Sequence, residues 1–252
     1  MKVGLNLFSV RNLIETEEEY EKTTMKLKKM GYSYVQYSGG VFDAERIRRV
    51  SEKTGMPVVL THVPYDRIVN DTDNLMREHE SFGCRNIGLG GFFQPWGENG
   101  SEWKKAIDEL ENVSAKMQKN GFTFFYHNHH HEFVRHDGQT IFDYIIEHAP
   151  HVHFTFDTYW AQLGGVNISE YVEKLSGRIE CVHLKDYQMR EGSDGVQPHF
   201  APLGQGNLNF PAIVQAMRKA GTEYFLVEQD DAADLSDTLS QVEISVRYAQ
   251  NL

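Results

Sequence analysis

The sequence predicts an α/β protein of the (β/α)8 barrel class, on three observations. Short runs rich in β-branched and aromatic residues alternate with longer stretches of helical periodicity from one end of the chain to the other. Eight such units fit into 252 residues, a length that one barrel of this kind takes. The strand runs are too apolar to leave one face in water, which calls for a parallel sheet covered by helices.

The expected strands are Lys2–Phe8, Tyr34–Tyr37, Val58–Thr61, Asn86–Gly90, Phe122–His127, His153–Asp157, Glu180–Lys185 and Tyr224–Glu228. Between them lie amphipathic segments at Glu17–Met30, Asp43–Thr54, Thr72–Phe82, Glu102–Asn120, Ile141–His148, Ser169–Leu175, Phe210–Ala220 and Leu235–Ala249. Four of them run into a glycine that stops a helix: Gly31, Gly55, Gly121 and Gly221. A doubly wound sheet is the alternative. Its glycine fingerprint is incomplete, because Gly88-Leu89-Gly90-Gly91-Phe92-Phe93 lacks the third glycine and reads as a strand-end turn. No Walker A sequence, low-complexity tract or Pro/Ser-rich linker divides the chain, so residues 1–252 read as a single barrel domain.

Composition narrows the function classes. With 25 Lys and Arg against 36 Asp and Glu the formal charge is −11, which disfavours a nucleic-acid partner. Cys84 and Cys181 are far apart without C-x-x-C spacing and read as buried thiols in a reducing compartment. The N-terminal segment is too soon interrupted by Asn6 and Arg11 for a signal peptide, and no run reaches the roughly 20 apolar residues of a membrane span. A cytoplasmic protein with no membrane contact is expected. Histidine is the outlier: of twelve, eight fall between His127 and His153.

In a barrel, catalytic residues project from the C-terminal strand ends into one mouth. Strand five runs into His127-Asn128-His129-His130-His131-Glu132, strand six ends in Asp157, strand seven carries His183 and Lys185, and strand eight ends in Glu228-Gln229-Asp230. Carboxylate and imidazole converging from neighbouring strands are hard and borderline metal ligands. For Asp157 a helix N-cap competes with the ligand reading, but the aromatic Thr158-Tyr159-Trp160 that follows favours the ligand. His183 alone would pass as a core histidine. Lys185 shares its face, and a lysine pointing into a barrel needs a charge there. In an extended chain His127, His129 and His131 share one side while Asn128 and His130 point the other way.

Taken together these segments resemble the sugar phosphate isomerase/epimerase group of xylose isomerase-like TIM barrels, in the branch carrying a His-Asn-His-x-x-Glu-Phe motif. The resemblance rests on Phe8-Ser9-Val10-Arg11, Thr61-His62-Val63-Pro64, Tyr126-His127-Asn128-His129 through Glu132-Phe133, Phe156-Asp157-Thr158-Tyr159-Trp160, His183-Leu184-Lys185-Asp186, Leu203-Gly204-Gln205-Gly206 with Asn209-Phe210, and Val227-Glu228-Gln229-Asp230. It implies one divalent ion, Mn²⁺, Mg²⁺, Co²⁺ or Zn²⁺, held by Glu, Asp, His and Glu from strands five to eight. Asp157, His183 and Glu228 match the last three. The first position departs, since His127 stands where the epimerases place a glutamate; Glu132 is the expected replacement, with His127 or His129 competing.

The implied chemistry is proton abstraction beside a sugar carbonyl through a metal-bound enediolate, in an isomerase or epimerase acting on a small sugar or sugar derivative. Glu228 is one proton-transfer group, and Glu132, His127 or His129 would be the second. That asymmetry raises the alternative of a keto-sugar or keto-inositol dehydratase. His62 is assigned proton transfer or hydroxyl orientation, with a structural loop histidine as the competing reading, and Lys185 oxyanion stabilisation. Trp160, Phe92, Phe93 and Trp96 are expected to wall the sugar, and His199, in the loop before Pro202, to close over it. Gly204 and Gly206 are the nearest approach to a phosphate-cradling loop. A repair endonuclease would need extra zinc ligands and a basic groove, which −11 argues against, and a non-catalytic carbohydrate-binding barrel is the third reading. Barrels of this type are often dimers or tetramers, so a homo-oligomer is expected.

Overall fold

The computed structural model describes residues 1–252 and closes eight parallel strands into a barrel. They are β1 (Gly4–Asn6), β2 (Tyr34–Tyr37), β3 (Val58–His62), β4 (Asn86–Leu89), β5 (Thr123–His127), β6 (His153–Asp157), β7 (Cys181–Leu184) and β8 (Tyr224–Val227). Each strand pairs with the next in the chain, and β8 closes on β1 with Leu226 opposite Gly4. The expected alternation of strands and helices is therefore the fold.

Local chemistry sets the element boundaries. Before the helix Glu17–Met30, the Thr16 hydroxyl accepts from the Glu19 N–H (3.2 Å) and the Glu19 carboxylate accepts from the Thr16 N–H (2.9 Å). This reciprocal cap fixes the first turn. Gly31, at φ 109°, ends the same helix in a conformation that a side chain would disfavour. Strand β1 is shorter than expected because the Asn6 side chain accepts from the Phe8 N–H (3.2 Å) and turns the chain into a 3₁₀ segment at Leu7–Leu13. That cap takes the backbone out of the sheet.

Apolar residues on the outer faces of the strands merge with the helices into one large core. Inside the barrel a separate apolar layer is formed by Tyr34, Leu60, Phe125, Cys181 and Leu226. Strand side chains alternate, so two residues further along each of these strands stand Gln36, His62, His127, His183 and Glu228. The apolar layer is a floor, and the polar layer above it opens towards the loops. Cys84 and Cys181 are free and buried, and no helix is long and apolar enough to cross a membrane.

Several elements escape the eightfold pattern. The segment expected as a long loop before Pro202 is a β-hairpin, Asp186–Gly192 paired with Gly195–Ala201. Short helices also form at Tyr65–Asn70 and at Thr158–Leu163.

His79 ties the helix Thr72–Ser81 to the barrel: its Nδ1–H donates to the Leu75 carbonyl (2.8 Å) and its Nε2 accepts from the Thr61 hydroxyl (2.6 Å). Burial pushes this imidazole down to about 4. The unfolded chain takes up the proton first, so this stabilisation is complete above the ordinary histidine value of 6.5 and is lost as pH falls towards 4. Urea unfolding of the native protein should lose about 1.4 kcal/mol per pH unit from this group between those limits, and His79→Gln should flatten the slope by that amount. Equal slopes in the two proteins would rule the contribution out.

Candidate functional site

Four side chains from the polar layer converge at the barrel mouth. His127, Asp157, His183 and Glu228 are all buried, and one ligand atom from each lies within 4.8 Å of the other three. His183 Nδ1 is 3.1 Å from His127 Nε2, 2.8 Å from Glu228 Oε2 and 3.6 Å from Asp157 Oδ2. His127 Nε2 is 3.4 Å from Asp157 Oδ2. Sheet register produces the convergence, since Asp157 lies directly opposite His183.

The outer partners of these groups decide what they present. His127 Nδ1 faces the Gly90 carbonyl (3.0 Å) and His183 Nε2 faces the Gln36 side-chain oxygen (2.7 Å). Both contacts require the outer histidine nitrogen to donate, which leaves His127 Nε2 and His183 Nδ1 facing inward. The Asn6 amide donates to Glu228 Oε1 (2.6 Å), while Oε2 has no aligned hydrogen bond. Asp157 Oδ1 accepts from the Trp160 N–H (2.9 Å), so the N-cap and cluster roles coexist on its two oxygens. Burial would lower the His183 imidazole, but the Glu228 and Asp157 carboxylates raise it to about 9, so its Nδ1 holds a proton between them. A divalent ion would displace that proton, and two imidazole nitrogens and two carboxylate oxygens would then face one point. Mixed imidazole and carboxylate donors of this kind suit a divalent cation, and the set fits one.

Lys185 balances the excess charge. Its ammonium is 3.3 Å from Asp157, 3.0 Å from Glu228 and 2.7 Å from Asp230, and it lies 5.0 Å above the Trp160 ring. Burial would raise Asp157 and Glu228, but the Lys185 ammonium together with His183 and His127 outweighs it and holds both well below the usual carboxylate range. His62 packs on His127 (centroids 5.2 Å) and on His183 (5.7 Å), and its Nε2 has no partner. A Cβ on Gly88 would come within 2.9 Å of the His62 ring, so Gly88-Leu89-Gly90 serves to seat that histidine. Burial first, then the neighbouring histidines, keeps His62 and His129 well below the ordinary histidine value.

Other expected site residues sit elsewhere. Glu132 is not in the ligand cluster: its carboxylate accepts from the Tyr126 hydroxyl (2.7 Å) and the His129 N–H (2.8 Å), and lies 3.2 Å from His131. The chain leaves extended geometry after His127 and turns back through a 3₁₀ segment at His131–Phe133, which aims Glu132 behind the loop. His129 stays at the mouth, in edge contact with His127 (4.7 Å), and its Nδ1 is unpartnered.

The aromatic assignments shift as well. Phe92 turns away to pack on Trp103 (5.0 Å), whereas Phe93 lines the cavity. Trp96 stacks on His136 (4.3 Å) rather than facing the cluster. His199 is exposed on the hairpin, and its neighbour Phe200 packs on Tyr159 (4.7 Å) and Trp160 (6.0 Å) above Lys185. The signal for that hairpin was Ser193-Asp194-Gly195, a tight-turn sequence between alternating residues. Gly204 and Gly206 do not form a free anion cradle, because both N–H groups donate to Asp186 (3.0 and 2.9 Å).

The imidazole–carboxylate cluster is buried at the C-terminal mouth of an eight-stranded barrel, the end at which (β/α)8 enzymes carry their active sites. The chain belongs to the xylose isomerase-like TIM barrel family, whose model matches residues 25–248. It is 24% identical over 159 residues to an inosose dehydratase of Bacillus licheniformis, a match over 58% of this chain and 53% of that protein, so the chain spans about half the length of that relative. A sugar phosphate isomerase/epimerase from Parabacteroides distasonis superposes with a TM-score of 0.81 at 22% identity, over 100% of this chain and 98% of the other. A family protein from Mycobacterium smegmatis solved in complex with magnesium superposes at 0.72 with 15% identity, over 99% and 95% of the two chains.

The ligand set is checked by metal analysis after dialysis against Mn²⁺. His127→Ala should hold clearly less than one Mn²⁺ per chain and fill only in excess metal, whereas Glu132→Gln should retain a full equivalent. Gln36→Leu, which removes the acceptor that orients His183, should weaken Mn²⁺ binding by about 10- to 100-fold. Retention of metal in His127→Ala together with its loss in Glu132→Gln would reverse the assignment.

Proposed function

We propose that this protein is a divalent-metal-dependent enzyme that moves a proton at the carbon next to the carbonyl of a keto-sugar, in the manner of a sugar isomerase or epimerase. The observation that carries this reading is the donor cluster His127, Asp157, His183 and Glu228 with the unpartnered imidazoles of His62 and His129 beside it. The bound ion would supply Lewis-acid polarisation of the carbonyl oxygen.

The chain's own groups divide the remaining work. His62 is neutral at working pH and has a free Nε2, so it can accept a proton and return it. Its position on the ring of His127 puts that exchange beside the cluster. The Lys185 ammonium, fixed by Asp230 and covered by Trp160 and Phe200, stabilises negative charge that develops on a substrate oxygen. His129 orients a hydroxyl through its unpartnered Nδ1.

A second reading, β-elimination of water from a keto-sugar or keto-inositol, is favoured by one specific observation. Epimerisation by two carboxylates needs a base on each face of the carbon, and Glu132 is bound to Tyr126 and to the His129 backbone. A syn elimination needs only one group, which takes the proton from carbon and passes the same proton to the departing hydroxyl to release water, and His62 can fill that role. The relative from Bacillus licheniformis, named an inosose dehydratase, supports the same alternative.

The test is incubation of Mn²⁺-loaded protein with keto-sugars and keto-inositols in D₂O. Deuterium should enter at the carbon beside the carbonyl, disappear on chelation, and fall by about 10²-fold or more in His62→Gln. Loss of water in the product mass would identify elimination, and no exchange across the panel would contradict the proposal.

A further inference from the structure

The cavity above the cluster is larger and more divided than one sugar ring requires. It encloses about 710 Å³ and runs outward from Glu228 and His127 to Phe8, Val41, Phe42 and Phe93. Its inner wall is imidazole, ammonium and carboxylate. Its outer wall is apolar, and two of its members are unusually bare, with Val41 80% and Phe93 68% exposed.

These outer side chains are held in place from below. The Phe93 ring covers Gly91, where a Cβ would come within 2.7 Å of it, and packs against His129 (4.9 Å) and His131 (5.1 Å). Phe42 stacks on His79 (5.2 Å) and contacts Phe82 (6.4 Å). Each ring is thus fixed on one side while it lines the cavity on the other, which suits stacking against a second flat or ring-shaped group.

Charge at the outer end is already neutralised. Arg67, the one arginine lining the cavity, is bonded to Asp71 (2.7 Å) and Glu78 (3.0 Å). Nearby Arg11 is taken by Asp234 (2.8 Å) and the carbonyls of Phe8 and Asp230. Lys185 is surrounded by three carboxylates. Lys185 belongs to the inner end, and at the outer end the one lining cation, Arg67, already has two carboxylate partners, whereas a phosphate is recognised through unpaired guanidinium or ammonium groups.

We infer that the outer half of the cavity is a subsite for an uncharged second ring, so that the substrate is a glycoside, a sugar joined to an aromatic group or to another sugar, and not a sugar phosphate. The inference rests on the reading of the inner half as a keto-sugar site. It adds Phe93, Val41 and Phe42 as the residues that set specificity.

The test is calorimetric binding to Mn²⁺-loaded protein of three unreactive probes: methyl β-D-glucopyranoside, phenyl β-D-glucopyranoside and methyl β-D-glucopyranoside 6-phosphate. The phenyl glycoside should bind about fivefold or more tighter than the methyl glycoside, and the phosphate no tighter than the methyl glycoside. The phenyl-to-methyl ratio should collapse towards one in Phe93→Ala combined with Val41→Ser. Both residues are exposed, and Phe93→Leu should show an intermediate ratio if the double variant folds poorly. Equal affinity for the two glycosides, tighter binding of the phosphate, or no binding of the phenyl glycoside would overturn the inference. Because the probes do not react, deuterium exchange on keto-sugars without a phenyl preference would remove the subsite alone. A phenyl preference without exchange would remove the proposed chemistry alone.

Discussion

The mouth of this barrel depends on one electrostatic constraint: two imidazole nitrogens and two carboxylate oxygens are buried within 4.8 Å of one another. Such a set is unstable as bare charge in a low-dielectric setting, and positive charge must answer it. Lys185 answers part of it from above, at 3.3 and 3.0 Å from Asp157 and Glu228. The proton that His183 holds beside Glu228 and Asp157 answers more of it, and a divalent ion would take that proton's place among the same four groups. The surrounding groups follow from this constraint, because Gln36, Asn6 and the Gly90 carbonyl each fix one member so that it cannot turn away.

The scaffold meets the constraint through periodicity. An apolar ring of Tyr34, Leu60, Phe125, Cys181 and Leu226 seals the barrel, and strand alternation then delivers the polar residues two positions further along. Room for the crowded imidazoles comes from a missing side chain, since Gly88 leaves the space that the His62 ring fills. Rigidity below and loops above divide the labour between stability and specificity.

Strands and helices were legible because their signals are periodic and local, and Tyr34–Tyr37, His153–Asp157 and Glu17–Met30 begin and end where the sequence places them. The placing of Asp157 and His183 at neighbouring strand ends was legible for the same reason. Loop geometry was not. Whether Glu132 or His127 joins the cluster depends on where the chain leaves extended geometry after β5, and spacing alone does not encode that turn. Of the two phenylalanines expected in the wall only Phe93 lines the cavity, because Gly91, at φ 151°, reorients the chain in a way that no alternation rule anticipates. The hairpin that carries Phe200 over Lys185 had a readable turn at Asp194-Gly195, but its contact with the site is long-range.

The central claim is that His127 and His183 both present nitrogen to a single cation beside Asp157 and Glu228. Pulsed electron paramagnetic resonance of Mn²⁺-loaded protein with ¹⁵N-labelled histidine tests it most directly. The account predicts hyperfine coupling from two imidazole nitrogens, reduced to one in His183→Ala or His127→Ala. Mn²⁺ bound with no histidine coupling, or with coupling unchanged in both variants, would contradict it.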